Sequence, residues 1–429
     1  MRNKAVFYCD FTKISNFFFT IFKLCIIIIG KGDGFVRILI TTDCYIPTVN
    51  GVVTSIINLE NALRKRGHEV KILCPSENLQ NSVDGDVHRI GSVSVDKLYS
   101  GARAAIFMQK KNLQSIIDWK PDIIHSQTEF TAYIMAKKIA YAVGCPIIHT
   151  YHTVYEDYTH YFSPSPKIGK AFAMHATRFI VNGVRAAVVP SRKIKNLLRG
   201  YDIRKPICIV PTGLDIARFL DSPEPEIIVQ MKDKLGIPLH HKVLVTVGRA
   251  AKEKNTDELI QYFKRLGLKN TTLLIVGGGP YLEKLRELAQ RLKITEKVKF
   301  TGMVDPQDIP AYYHLGDVFL NASQSETHGL TYVEALASGL PMLCRKDECL
   351  DEVLYNGKNG YQYTSFNEFS QSLGYLLRSD ELREQMSRIS RRIARRFSNE
   401  VFAESIERIY IQLCARRRDL YKLRRHAMA

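Results

Sequence analysis

Glu326 and Glu334 flank a loop-to-helix junction that offers acceptors for sugar hydroxyls beside donors for a phosphate. The apolar run Val318-Phe319-Leu320 reads as the end of a buried strand, and Ser323 to Gly329 follows as a polar loop. From Leu330 to Ser338 the spacing is helical, with Leu330, Val333, Leu336 and Ala337 on one stripe; Gly339 ends the helix and Pro341 follows. A helix start presents free N–H groups and the positive end of its dipole, a seat for an anion. Here the residues at that seat are Thr327, His328, Gly329 and Leu330, and Gly329 lets a ligand come close to the backbone. Two glutamates alone are more often solvated charges. The packed small-residue run Ala335-Leu336-Ala337-Ser338-Gly339-Leu340-Pro341 behind Glu334 favours a built site instead.

Arg249 and Lys254 follow a second buried strand, Lys242 to Val247, after Gly248. A forked guanidinium and a compact ammonium suit a leaving group that gains negative charge. His152 lies just past the strand Pro146 to Thr150, at the strand end where α/β folds bind ligands. His149, inside that strand, reads as structural. Gly51, after the strand Arg37 to Ile40, permits close backbone approach, but its loop is no G-x-G-x-x-G dinucleotide fingerprint.

These residues need α/β elements to position them, and the chain alternates accordingly. Arg37–Ile40, a helix Thr54–Arg66 and Glu69–Cys74 make a first strand–helix–strand unit. At 429 residues, with 45% apolar and 24% charged content, the chain is expected to form two domains: 36–211 and 212–395, with a basic helical tail 396–429. Residues 1–35 do not fit the pattern. The apolar run Phe17 to Ile29 is too short to span a bilayer and has no small-residue cleavage site after it, so it reads as a mis-assigned start or non-structural leader rather than an anchor or signal peptide.

The net charge of +18 implies an anionic partner. Between His160 and Lys205 ten Lys or Arg face one acid, Asp202, with Ile168, Phe172, Met174 and Phe179 interleaved. Lys167 to Val188 thus reads as basic amphipathic helix suited to an anionic membrane, with Lys167, Lys170 and Arg178 as contacts. No RNA-binding motif, helix-turn-helix or zinc finger accompanies the charge, so nucleic acid is not the expected partner. Nine scattered cysteines without a C-x-x-C pair read as reduced thiols of a cytosolic protein, with no structural metal. Asp84-Gly85-Asp86 has the D-x-D form of a metal motif but reads as a turn.

The E-x7-E pair Glu326/Glu334, with the Ala-Leu-Ala-Ser-Gly-Leu-Pro run, resembles the nucleotide-sugar signature of family-4 retaining glycosyltransferases. The resemblance covers nearly everything after residue 36. It implies the GT-B fold, two Rossmann-like doubly wound domains facing a cleft, the second holding a nucleotide sugar and the first the acceptor. It implies that Glu326 binds the donor sugar and Glu334 the ribose, that Arg249 and Lys254 grip the diphosphate, that Met303 and Val304 hold the base, and that His152 stands beside the sugar. The family's paired-glycine loop is Asn50-Gly51 here, and Thr212-Gly213-Leu214-Asp215 resembles its hinge turn. The last helix is expected to cross back onto the first domain. The run Tyr151 to Tyr158 resembles bacterial members that glycosylate diacylglycerol. The expected reaction is hexosyl transfer, from UDP-glucose or a similar donor to a membrane lipid, with no cofactor or metal, at the inner face of the cell membrane. A soluble saccharide acceptor and a non-catalytic nucleotide-binding GT-B protein are the alternative readings.

Overall fold

Runs of Ile, Val and Leu with no polar alternation bury both faces of a strand, and here they assemble into two largely parallel sheets. The computed structural model describes residues 35–48, 50–95, 103–106, 108–154, 156 and 165–426. The leader 1–35 expected from the sequence lies outside the described residues except for Phe35, as do Tyr155, Asp157 and Tyr158 of the diacylglycerol-like run.

The first half contains β1 (Arg37–Thr41), β2 (Glu69–Pro75), β3 (Ser82–Asp84), β4 (Val87–Ile90), a ribbon of β5 (Ser92–Ser94) and β6 (Arg103–Ala105), then β7 (Ile123–Ser126), β8 (Ile147–Thr150), β9 (Ala186–Val189) and β10 (Ile207–Ile209). Its sheet runs β10-β9-β8-β7-β1-β2-β4-β3, parallel throughout except for the β3–β4 hairpin. The second half contains β11 (Lys242–Val247), β12 (Thr271–Val276), β13 (Val298–Phe300), β14 (Val318–Asn321), β15 (Met342–Arg345) and β16 (Gly360–Tyr363), ordered β13-β12-β11-β14-β15-β16 and wholly parallel. In each sheet the winding reverses once: between β1 and β7 in the first, between β11 and β14 in the second. Crevices open at the carboxyl ends of strands where winding reverses, so topology alone marks the loops after β1, β7, β11 and β14 as ligand positions.

The helices that matter for the site are α1 (Gly51–Lys65), α2 (Thr131–Val143), α3 (Pro166–Asn182), α4 (Arg192–Gly200), α5 (Leu330–Ala337) and α6 (Asn399–His426). Helix α1 begins three residues earlier than its apolar periodicity predicts, because the Asn50 side chain caps it by accepting from Val53 N at 2.9 Å. Gly51 is therefore the first helical residue rather than a loop glycine. Asp84 and Asp86 border the β3–β4 turn at Gly85 (φ 56°), and Asp86 pairs with Arg64 at 2.8 Å.

The chain passes from the first sheet to the second at Thr212–Leu214 and returns beside that crossing. Leu214 N donates to Phe397 O at 2.9 Å and Asn399 N to Leu214 O at 3.1 Å. Helix α6 then lies on α1, burying Phe402, Ala403, Ile406 and Tyr410 in the first core. Tyr410 Oη is hydrogen-bonded to His125 Nδ1 at 2.7 Å, and Thr150 Oγ1 meets the other ring nitrogen at 2.6 Å, so the buried imidazole is satisfied on both sides. Burial holds His125 neutral, its pKa well below the usual value. Tyr410→Phe removes one of these partners from a fully enclosed ring, at a cost of about 1–3 kcal/mol. The expected result is a lower urea midpoint with unchanged secondary structure by circular dichroism; an unshifted midpoint would show that docking of α6 does not depend on this bond.

Candidate active site

Lys254 and Glu326 are far apart in sequence and meet in space because β11 and β14 are neighbours. Their ends bring Lys254 Nζ to 2.6 Å from Glu326 Oε1. The two loops are tied further by Asn255 Nδ2 donating to Ala322 O (3.3 Å) and Ser325 Oγ to Glu253 O (3.4 Å). Arg249 sits at the mouth of the same crevice, about half exposed, and pairs with Glu253 at 2.5 Å. Both cations expected to hold a diphosphate are therefore engaged by acids, and an incoming diphosphate would compete with Glu253 for Arg249.

The backbone under Arg249 is shaped by contact with the loop after β12. A Cβ on Gly277 (φ 125°) would stand 2.1 Å from Gly248 O, closer than any side chain permits. Gly277 also bridges to Gly302, which places the neighbouring Met303 and Val304 beside this wall. Met303 is exposed, while Val304 packs on the second core, so Met303 is the more open of the pair.

Gly329 takes φ 70° at the entry to α5, a conformation that suits glycine, and leaves the first N–H groups of the helix facing the loop. Leu330 is the first residue of α5. Glu334, one turn on, is half buried, and its Oε2 accepts from Tyr313 Oη at 2.6 Å. Burial raises its pKa, and the Tyr313 bond works in the opposite direction. His328 differs from its sequence expectation in what its ring does. The ring is buried against Phe397 (centroids 5.7 Å apart) at the return crossing, and its pKa is pushed down to about 4 by burial. Neither ring nitrogen has a partner among the described residues.

On the first sheet, His152 Nε2 lies 2.8 Å from Gln127 Oε1 and His149 Nε2 lies 3.2 Å from Glu129 Oε1. Burial, and then the neighbouring His149, lower the His152 pKa to about 3, so its ring is neutral. Tyr151 N donates to Val188 O, which sets His152 beside the end of β9, about 5 Å away at the usual strand spacing. From that end Ser191 Oγ donates to Thr327 O at 2.6 Å, and Lys193 Nζ reaches Gln324 O at 2.8 Å and Asp347 at 2.6 Å. The first half thus holds the Glu326 loop directly through the residues after β9, the strand beside β8.

Ser191, Lys193, Gln127 and Asp43 were not singled out by motif. Asp43 is fully buried between the loops after β1 and β7. Its carboxylate accepts from Thr128 Oγ1 and Thr131 Oγ1 at 2.6 Å, from Ala132 N at 2.8 Å and from Phe130 N at 3.1 Å, fixing the start of α2. Burial raises its pKa against those bonds. The only sequence signal was position: an acid two residues past a buried strand.

Away from the cleft, α3 is a single helix ending at Asn182, and it presents Ile168, Phe172 and Phe179 to solvent at 68%, 67% and 77% exposure. Lys167, Lys170 and Arg178 are exposed beside them, Arg178 sharing its charge with Asp202 at 2.8 Å. Helix α2 lies alongside, held by Tyr133 Oη to Ile180 O and Lys137 Nζ to Gly183 O, both 3.1 Å, and adds Ile134 and Tyr141 to the exposed apolar side chains. Among the described residues no helix is long and apolar enough to cross a membrane.

Comparison with known proteins agrees with this arrangement. Residues 49–218 match the model of Glycosyltransferase Family 4, and residues 228–393 that of Glycosyl transferases group 1. The chain is 33% identical over 389 residues to the alpha-monoglucosyldiacylglycerol synthase of Acholeplasma laidlawii, covering 88% of this chain and 97% of that protein. It is 36% identical over 333 residues to the alpha-monoglucosyldiacylglycerol synthase of Streptococcus pneumoniae, covering 76% and 75%. Among solved structures, Anabaena Alr3699/HepE in complex with UDP and glucose superposes with a TM-score of 0.68 at 17% identity, over 87% of this chain and 99% of that one. Sucrose-phosphate synthase from Thermosynechococcus elongatus gives 0.69 at 17% identity, over 88% and 99%. The similarity to the synthases spans both sheets and both crevice-lining loops, and on that ground the chain belongs to the family-4 glycosyltransferases and is a glycosyltransferase of the GT-B fold.

Proposed function

We propose that this enzyme transfers glucose from a nucleotide sugar, UDP-glucose, to diacylglycerol in an anionic membrane, with retention of anomeric configuration and without a metal ion. The observation that carries the acceptor class is the basic, apolar outer face of α3 and α2 on the half expected to take the acceptor. The names of the two relatives with 33% and 36% identity point to the same lipid. A lipid acceptor stays in the bilayer, so its enzyme must dock there and leave the nucleotide site open to water. The second half, with its crevice at β11 and β14, suits the soluble donor.

In this reading the diphosphate lies against the N-terminus of α5, Arg249 and Lys254. The bond from the anomeric carbon to the phosphate oxygen breaks, and the lipid hydroxyl oxygen bonds to that carbon on the same face. The hydroxyl proton passes to the departing diphosphate, whose new charge the two cations and the helix start stabilise. Glu326, released from Lys254, accepts from sugar hydroxyls, and Glu334 from the ribose. Docking is peripheral, at the cytoplasmic face where nucleotide sugars are available.

The test is a donor and acceptor matrix. UDP-glucose with diacylglycerol in phosphatidylglycerol vesicles should give glucosyldiacylglycerol in step with UDP release, and other nucleoside diphosphate sugars should give less. Preference for a soluble saccharide over diacylglycerol would replace the lipid reading while leaving the family assignment intact.

A further inference from the structure

The rings of His149 and His152 at the end of β8 are each met by a side chain from the end of β7, and the two partners differ in chemistry. His149 faces a carboxylate, Glu129, at 3.2 Å; His152 faces an amide, Gln127, at 2.8 Å. Gln127 is buried, only 2% exposed, so its amide has little freedom to exchange partners with water. With its amide oxygen turned to the ring, Gln127 accepts there and does not donate, an orientation that favours the proton on Nε2 of His152 and a lone pair on Nδ1. We propose that Gln127 is a positioning residue that holds His152 as the neutral Nε2–H tautomer, leaving Nδ1 to accept a hydrogen bond from a hydroxyl of the donor sugar. This rests on the proposed function and on the placement of His152 beside that sugar which the family resemblance implies.

The amide matters because of the charge that develops in the reaction. As the bond to phosphate lengthens, positive charge builds on the sugar ring, as in other glycosyl transfers with oxocarbenium-like transition states. A carboxylate facing His152 would draw a second proton onto the ring and set an imidazolium against that charge. Gln127 fills the same space without this pull. The surroundings of His152 reinforce the choice: burial and then the neighbouring His149 disfavour its protonation, and Glu129 is directed to His149 instead.

The experiment reads the tautomer and the turnover separately. Long-range 15N–1H correlation spectra of the full-length enzyme, with the His152 signals assigned by loss in His152→Gln, should show a protonated Nε2 and a bare Nδ1, unchanged from pH 6 to 9. Gln127→Glu should make the ring titrate in that range, and kcat/KM should fall about tenfold for each pH unit below the raised pKa, recovering at alkaline pH. Gln127→Leu should lose rate with no new pH limb and show both tautomers. A wild-type spectrum with a protonated Nδ1 would overturn the proposal, as would a Gln127→Glu enzyme whose ring titrates while its rate profile stays that of the wild type. Wild-type turnover in His152→Ala would overturn the placement beside the sugar. That failure is distinguishable, because the tautomer is read without turnover.

Discussion

Lys254→Ala is expected to lower kcat/KM for glucosyl transfer by about a hundredfold to a thousandfold, equivalent to about 3–4 kcal/mol of lost transition-state stabilisation. The fold should survive. Lys254 ends a short 3-10 turn after β11 with its side chain 28% exposed, and among the described residues its ionic partner is Glu326 at 2.6 Å. The pair is partly buried, and the two segments stay tied by Asn255 Nδ2 to Ala322 O and Ser325 Oγ to Glu253 O, so what is lost is chemistry more than structure. Glu326→Ala should cost a similar factor by a different route, since it removes an acceptor for the sugar and leaves Lys254 without its resting partner. The double variant should be less impaired than the product of the two singles, because residues acting as one unit are not additive. Steady-state kinetics with vesicle-borne diacylglycerol, alongside thermal melts, decide the matter. Turnover near that of the wild type in either single variant would remove Lys254 and Glu326 from the site.

How far the sequence alone reached depended on whether a residue's role was local. The strand, glycine turn and helix around Glu326 were legible because propensity, periodicity and capping act over a few residues. Arg249 and Lys254 were legible by position, directly after a buried strand. That Lys254 touches Glu326 was not legible, because it depends on β11 and β14 being neighbours across the winding reversal. Ser191 and Lys193 carried no motif and mattered only once the two halves met at Thr327 and Gln324. Gln127 and Asp43 were silent for a related reason: a buried polar side chain is identified by its partners, and theirs come from other strands. His328 was legible as part of the loop before α5, but its ring turns to Phe397 from the far end of the second half, a contact no local pattern encodes. On the outer face, nothing in the sequence singled out Ile134 and Tyr141. Helix α2, tied to α3 by Tyr133 Oη donating to Ile180 O, exposes both of them, and α3 exposes its own strip of Ile168, Phe172 and Phe179.

That strip sets up the second large effect. Phe172→Ser with Phe179→Ser should nearly abolish binding to phosphatidylglycerol vesicles at every salt concentration, whereas Lys167→Glu with Lys170→Glu should weaken it chiefly at low salt. The reasoning is a comparison of magnitudes. Each Lys or Arg near an anionic surface contributes about 1 kcal/mol, and that contribution fades with ionic strength. Each phenylalanine moved from water into the acyl boundary contributes about 1.5–3 kcal/mol, and salt does not screen it. Two phenylalanines exposed at 67% and 77% therefore outweigh two lysines, and Arg178 adds less than either because Asp202 already holds it at 2.8 Å. Salt should thus weaken wild-type docking without eliminating it, the mark of an amphipathic helix lying in the interface rather than a purely electrostatic contact. Activity on vesicle-borne diacylglycerol should fall in parallel with binding. Slow hydrolysis of the donor in solution should stay near its wild-type rate, because the crevice at β11 and β14, proposed for the nucleotide, belongs to the other half of the molecule. Vesicle flotation at graded salt, run beside both activity measurements, separates the outcomes. Undiminished flotation of the double-serine variant would move the docking surface off α3, and equal loss of both activities would mean that the substitutions had damaged the fold.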